Sequence, residues 1–450
     1  MGGMINPAGE SQGAAESPDS WLALVALQAA KTIWLTLTLF TFGLFILSAP
    51  TSAAETLRSS TGEFKAHFLK FCDLAARELN KEITPFLNRT NADPATHHMP
   101  FFEDAHAVRA LAVAYDLTHR RTYLEACQRW ADRMIQYQEQ MIPRGAYYMN
   151  HSRAPGQVTG QWNLADSGSV GMGVLATATR SKDRAEKARY LASTKALAKL
   201  ALENYVTAEG GISNGLWPEY SGPWWGSTAI FGTMLFALYE ETGEEQYLKA
   251  AKAAIRWLVR EDFHDFKPIT FAQRPSGIIF YTFEFYLAGW KHFPPASPEH
   301  QAIRRQFGSA LEWMAKNQKS RGADIPDYVD QNVDLAGLPY LMYGFAGAPA
   351  RFPLAPKPEA GREADWENLT PLADRELDYL GKLLLANGNP NVSKLMVWEV
   401  MTWGMLSHAE RLQPGALLRG SGTPSHSEPS LRPVGSWPLG ASNVGGRRFP

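Results

Sequence analysis

The chain has 450 residues, 45% of them hydrophobic and 12% aromatic, with a formal net charge of −1. That is ample for a large core, and a balanced charge argues against a nucleic-acid binder, which needs a basic surface to neutralise phosphates. The two cysteines, Cys72 and Cys127, exclude a disulfide framework and a thiolate zinc site; both read as small buried residues of outer helices, a bridge between them being the less favoured reading.

Residues 33–48 form an apolar run behind Lys31, followed by Ala49-Pro50-Thr51-Ser52-Ala53-Ala54. Small residues after such a run predict a secretory signal cleaved near Ala53 or Ala54, so residues 1–54 are read as a leader. The rival is an uncleaved membrane anchor, because Trp21 to Ala30 is also apolar and the run approaches spanning length. Export is the preferred reading; on either one the bulk of the chain lies outside the cytoplasm, periplasmic or secreted.

From Thr61 onward the apolar spacing is helical almost throughout. Two kinds of helix alternate. Stretches 104–118, 165–179, 227–241, 278–292, 333–346 and 394–411 are small, apolar and rich in Gly and Ala, whereas 64–81, 120–138, 183–206, 244–261, 298–317 and 366–386 are amphipathic. A helix that is apolar all round must be buried, and a one-sided one lies on the surface. The chain therefore reads as all-α, with residues 61–412 forming an (α/α)6 toroid of six inner and six outer helices. Within it Tyr115-Asp116-Leu117-Thr118 with Tyr123-Leu124-Glu125-Ala126 recurs as Tyr239-Glu240-Glu241-Thr242 with Tyr247-Leu248-Lys249-Ala250. Each copy marks an inner helix turning into an outer one, and repeated helix pairs must stack to bury their apolar faces. Residues 413–450, rich in Gly, Pro and Ser without apolar periodicity, read as a disordered tail.

Turns from inner to outer helix are short, but the returns 139–164, 207–226, 262–277 and 318–332 are long. Long ordered loops in a compact domain are usually functional. These all emerge at the N-terminal ends of the inner helices, and they are crowded with aromatics and carboxylates. Aromatic rings suit the apolar face of a sugar, and carboxylates its hydroxyls. The substrate-binding candidates are Tyr148, His151, Trp162, Trp217, Glu219, Trp224, Trp225, Arg274 and Asp330, with plugging of the toroid end as the alternative for any one aromatic. Asp104 and Asp166 are the catalytic candidates, because each opens an apolar inner helix and glycoside chemistry needs paired carboxyls. Helix N-capping is their other reading, and a capping carboxylate has a depressed pKa that suits a base. Glu219, Glu284 and Asp334 are reserves, Glu284 reading better as a satisfied core acid. His97, His98, His106 and His151 match no ligand spacing, so no metal is expected; the absence of a G-x-S-x-G elbow and of a phosphate-binding glycine loop disfavours an α/β-hydrolase or a nucleotide enzyme, and no cofactor is expected.

The segment Trp224-Trp225-Gly226-Ser227-Thr228-Ala229, running into Phe236-Ala237-Leu238-Tyr239-Glu240-Glu241-Thr242-Gly243 and Tyr247-Leu248-Lys249-Ala250-Ala251, resembles the inner-to-outer hairpin of six-hairpin glycosidases, above all the unsaturated glucuronyl and rhamnogalacturonyl hydrolases. The resemblance implies an (α/α)6 fold and catalytic aspartates near the starts of two inner helices, where Asp104 and Asp166 stand. The families' His-Asp-x-Gly-Phe pattern has no counterpart around Asp104. The expected function is an exported glycoside hydrolase acting on an oligosaccharide, with Arg274 or Arg153 to hold the carboxylate of a uronate-containing one. The alternatives are a polysaccharide lyase or sugar epimerase using Tyr148 or His151, and a non-catalytic glycan-binding or cell-envelope protein. The expected partner is the oligosaccharide or polysaccharide, with no nucleic acid and a membrane only through the N-terminal segment.

Overall fold

A computed structural model of the chain describes residues 50–79, 101–148, 162–215, 222–260, 275–306, 337–351, 369–386, 389–390 and 397–418. Its contacts divide the chain into Met1–Glu63 and Phe64–Pro450, and the helical ring belongs to the second unit. The apolar run 33–48 lies outside the described residues. Among those described, no helix is long and apolar enough to cross a membrane.

The helices are α1 (Pro50–Glu78), α2 (Phe101–Thr118), α3 (Arg121–Gln140), α4 (Leu164–Ala178), α5 (Arg184–Asn204), α6 (Trp225–Thr242), α7 (Glu245–Arg260), α8 (Pro275–Gly289), α9 (298–306), α10 (Leu338–Arg351), α11 (Leu369–Leu384) and α12 (Val397–Leu412). Among the described residues an antiparallel pair of two-residue strands, Leu385–Ala386 with Asn389–Pro390, interrupts the helical pattern. The even-numbered helices pack in sequence around a ring, α2 on α4, α4 on α6, α6 on α8, α8 on α10, α10 on α12, and α12 back on α2. The odd-numbered helices lie outside: α3 rests on α2 and α4, α5 and α7 on their inner partners, and α11 on α10 and α12. Phe64, Phe68 and Phe71 of α1 surround His408 of α12. The all-α (α/α)6 toroid expected from the alternation is the fold observed.

Two glycines let the inner helices close up. A Cβ at Gly173 of α4 would lie 2.9 Å from the Trp130 ring, and one at Gly232 of α6 would collide with the Phe285 ring of α8. Larger residues would force the ring apart, which explains why the inner stretches are so rich in small side chains.

The sequence repeat is a corner with one hydrogen-bond plan used twice. At the end of α2 the Thr118 hydroxyl donates to the Ala114 carbonyl, His119 adopts φ 55°, and its N–H donates to the Tyr115 carbonyl at 2.7 Å. At the end of α6 the Thr242 hydroxyl donates to Leu238, Gly243 adopts φ 70°, and its N–H donates to the Tyr239 carbonyl at 2.7 Å. The left-handed residue stops the inner helix, and Thr satisfies a carbonyl that the helix end leaves open. Tyr123 and Tyr247, both buried, then seat the outer helix against the ring.

The ordered domain does not stop at Leu412. Residues 413–418 turn beneath the C-terminal ends of the inner helices, with Ala416 and Leu417 buried. The Glu410 carboxylate accepts the Gly415 N–H, while the Ala416 and Leu417 carbonyls accept from Arg180 and Arg109. The start of the stretch read from composition as a tail thus belongs to the core.

Candidate functional site at the open end of the toroid

The N-terminal ends of the inner helices face the long loops. The connection between α5 and α6 crosses this end: the Asn214 side chain accepts the Ala165 N–H at 3.0 Å, its carbonyl accepts the Leu164 N–H, and Ser227 and Thr228 of α6 both bond to Ile212. The loop is thereby tied to the first turns of α4 and α6, so groups on those turns are rigidly placed.

Asp166 lies in the first turn of α4. The cap of that helix is Asn163, whose side-chain oxygen accepts the Asp166 N–H at 2.8 Å, while its Nδ2 donates to Asp166 Oδ2 at 3.1 Å. The capping role weighed for Asp166 therefore belongs to its neighbour, and the carboxyl is left available. The residue keeps some exposure. Burial of its carboxyl pushes the pKa up to about 6, outweighing the lowering bond from Asn163. The depressed value expected for a capping carboxylate is thus reversed: a group that holds a proton near neutrality can serve as an acid as well as a base.

Asp104, in the first turn of α2, is fully buried. Its Oδ1 accepts from Trp398 Nε1 of α12 at 2.9 Å and its Oδ2 from Trp130 Nε1 of α3 at 3.2 Å, with Arg133 Nη2 at 3.9 Å. Both oxygens are engaged, so Asp104 pins three helices together. Trp130 comes from the next helix in the chain, whereas Trp398 is 294 residues away and only the closed ring brings it to Asp104.

The aromatic candidates divide. Tyr148 is buried, with Phe101 and Tyr137 at 6.4 and 5.8 Å between ring centroids. Trp162 is buried against Tyr205, and its ring covers Gly215, whose φ of 90° suits glycine. Both plug the toroid end, the alternative open to any one of these rings. Trp224 and Trp225 differ, remaining partly exposed at the start of α6 with centroids 5.1 Å apart. His151, Trp217, Glu219, Arg274 and Asp330 lie outside the described residues.

The axis of the ring is filled. Arg109 of α2 reaches across it to Glu284 of α8 at 2.5 Å, and the Tyr340 hydroxyl of α10 donates to the same Glu284 oxygen at 3.1 Å. Glu284 is the satisfied core acid that its mid-helix position implied. One turn nearer the open end, His106 of α2 packs edge-on to Trp403 of α12 at 4.4 Å and lies 6.4 Å from Tyr281 of α8. Burial, then the Arg109 charge, holds the His106 pKa well below its usual value, so the ring is neutral at physiological pH. His106 entered the sequence reading only as a metal candidate; its place on the stripe Phe102, His106, Arg109, at helical spacing along one face, was the signal of an axial role. Among the described residues no cluster of His, Cys, Asp and Glu is arranged to hold a metal.

No family model and no curated protein sequence matches the chain. Among solved structures it is similar to the cellobiose 2-epimerase from Spirochaeta thermophila DSM 6192, at 13% sequence identity and a TM-score of 0.50, over 81% of this chain and 99% of that one. At that identity the likeness speaks for the fold alone, and the fold it supports is the (α/α)6 toroid.

Proposed function

We propose that the protein is a carbohydrate-active enzyme that cleaves a glycosidic bond of an oligosaccharide at the open end of the toroid, with Asp166 as the proton donor. The observation that carries this reading is the Asp166 carboxyl, placed in the first turn of an apolar inner helix whose cap is Asn163, where burial pushes its pKa up to about 6. In the protonated form it can give its proton to the departing glycosidic oxygen, which is what a raised carboxyl pKa suits. A water adds to the anomeric carbon and releases a proton to solvent, from which Asp166 is protonated again. Trp224 and Trp225, both partly exposed, supply aromatic surface for a pyranose ring. Asp104 acts here as a positioning residue, since its oxygens are committed to Trp130 and Trp398.

A second reading is sugar epimerisation on the same scaffold, favoured by the likeness to a solved cellobiose 2-epimerase. Product analysis separates the two. Incubation with plant, algal and bacterial oligosaccharides, including Δ4,5-unsaturated uronates, should yield shorter products and new reducing ends. An isomer of unchanged mass would replace hydrolysis by epimerisation, and binding without any conversion would make the protein a glycan-binding module. The apolar run 33–48 supports export as part of the proposal. Fractionation of the native host should find the protein outside the cytoplasm, and a cytosolic form retaining residues 1–50 would remove that part.

A further inference from the structure

Two buried polar atoms on the toroid axis have no hydrogen-bond partner among the described residues: Nδ1 of His106 and Nε1 of Trp403. They belong to rings whose centroids are 4.4 Å apart, so this is one polar spot and not two isolated defects. An orphaned buried donor or acceptor forfeits its hydration without return, and native folds rarely tolerate one without a reason. One turn below, Arg109 Nη2 and the Tyr340 hydroxyl both donate to Glu284, although Arg109 Nε is left without a partner among the described residues.

The surroundings say what would satisfy this spot. Phe102 of α2 and Tyr281 of α8 flank His106, at 5.9 and 6.4 Å between centroids, and both keep partial exposure. Helices α2 and α8 stand on opposite sides of the ring, so these side chains meet whatever enters along the axis from the open end. An indole N–H donates only, whereas a neutral imidazole nitrogen can accept. The complement of that pair is a hydroxyl group, which accepts from the one and donates to the other. Aromatic walls around it suit the apolar face of a sugar ring.

We propose that His106 and Trp403 form the polar floor of a second sugar subsite, walled by Phe102 and Tyr281, in which one pyranose hydroxyl accepts from Trp403 Nε1 and donates to His106 Nδ1. This rests on the carbohydrate reading above but concerns different residues from the Asp166 and Trp224–Trp225 side of the cleft. The neutral state of His106, set by burial and by Arg109 on its own helix, keeps the acceptor open. The facing groups are the Tyr281 phenol on α8 and the indole of Trp403 on α12, while the Glu284 charge one layer below is bound to Arg109.

The test uses the full chain carrying D166N to prevent turnover, with calorimetric titration by a ladder of di- to hexasaccharides and by the monodeoxy analogues of the best binder. W403F keeps a large aromatic ring but loses the N–H, and H106F keeps an aromatic ring but loses both nitrogens. Each should weaken binding about tenfold, the scale of one lost hydrogen bond. The double variant should be scarcely worse than either single, because both act on one hydroxyl. One monodeoxy sugar should bind D166N about tenfold more weakly than its parent yet bind D166N/W403F as well as the parent does. A merely structural pair would instead move the melting temperature and leave the Kd of folded protein alone. Should sugars bind D166N and both variants equally, the subsite is refuted while the carbohydrate reading stands. If no sugar binds D166N or is converted by the wild type, both are refuted together.

Discussion

Two layers of side chains cross the toroid axis one helical turn apart, the lower built on a charge pair and the upper on neutral rings. In the lower layer Arg109 and Tyr340 converge on Glu284, and the Leu417 carbonyl closes the cluster from beneath at 3.4 Å. In the upper layer His106 and Trp403 leave Nδ1 and Nε1 unanswered among the described residues. Both layers are buried, so solvent does not explain the difference. The lower layer pairs its charges, although Arg109 Nε also lacks a partner among the described residues, and its role is to hold the ring shut. Its counterpart above has no charge pair, and the rings beside it, Phe102 and Tyr281, keep partial exposure. Unsatisfied burial does not mark a site by itself, since His408 Nε2 is orphaned among Phe64, Phe68 and Phe71; the partly exposed Phe102 and Tyr281 beside His106 set the upper layer apart.

The sharpest way to break this contrast is to cut the lower layer. Glu284→Ala leaves the Arg109 charge buried without its partner, and stability should fall by about 3–5 kcal/mol. Urea denaturation reads this as a lower midpoint at unchanged slope. A loss under about 1 kcal/mol would mean that the layer is not what holds the ring.

The plug beneath should come next. Leu417→Ala empties a buried site and should cost about 2–3 kcal/mol. A chain ending at Gln413 should melt below one ending at Leu418, and equal melting would show that the segment only rests on the surface.

Protons sharpen the comparison further, since two buried groups pull in opposite directions. Burial lowers the pKa of His408 to about 3, below the unfolded value of about 6.5, so the unfolded chain binds more protons between those limits. Stability from this group is present above pH 6.5 and is lost as the pH falls. Asp166, raised to about 6, binds more protons when folded, so its contribution is present below pH 4 and is lost as the pH rises through 6. Denaturation midpoints followed from pH 4 to 8 should rise more steeply in Asp166→Asn than in the wild type. A curve parallel to the wild type would place the Asp166 carboxyl in an ordinary solvated setting.

The smallest effect belongs to the anchor at the open end. Trp130→Phe removes one of two indole donors from Asp104 and should cost about 1.5 kcal/mol, with Trp398 still in place. A neutral result would leave Trp398 as the sole functional anchor.

How much of the molecule was legible in the chain depends on the range of each interaction. Inner and outer helices separate by local pattern, because α2 and α4 are apolar all round whereas α3 and α7 carry one polar face. The two corners at Thr118 and Thr242 were legible for the same reason, since every bond in them spans four residues or fewer. The cap on α4 was also within reach: Asn163 followed three residues later by Asp166 is a capping-box spacing. Contacts made only by closing the ring were not. Trp398 reaches Asp104, and Leu417 reaches Arg109, across most of the sequence. The burial of Tyr148 against Phe101 and Tyr137, and of Trp162 against Tyr205, comes from neighbouring elements whose packing the apolar period does not show. Residues 413–418 carry no periodicity because an irregular segment can be held by single carbonyl contacts.

The central claim is that Asp166 gives a proton to a sugar substrate. Steady-state kinetics of the wild type and of Asp166→Asn on an oligosaccharide that the wild type converts, paired with calorimetric titration of both, tests it most directly. The expected result is a fall in kcat of about 10²–10⁴-fold, the range for loss of a general acid, while Kd changes by less than about threefold. Asn keeps the size of the side chain and an acceptor for Asn163 Nδ2, so a folding defect would appear separately as a shift in the melting curve. Undiminished turnover in Asp166→Asn would contradict the claim.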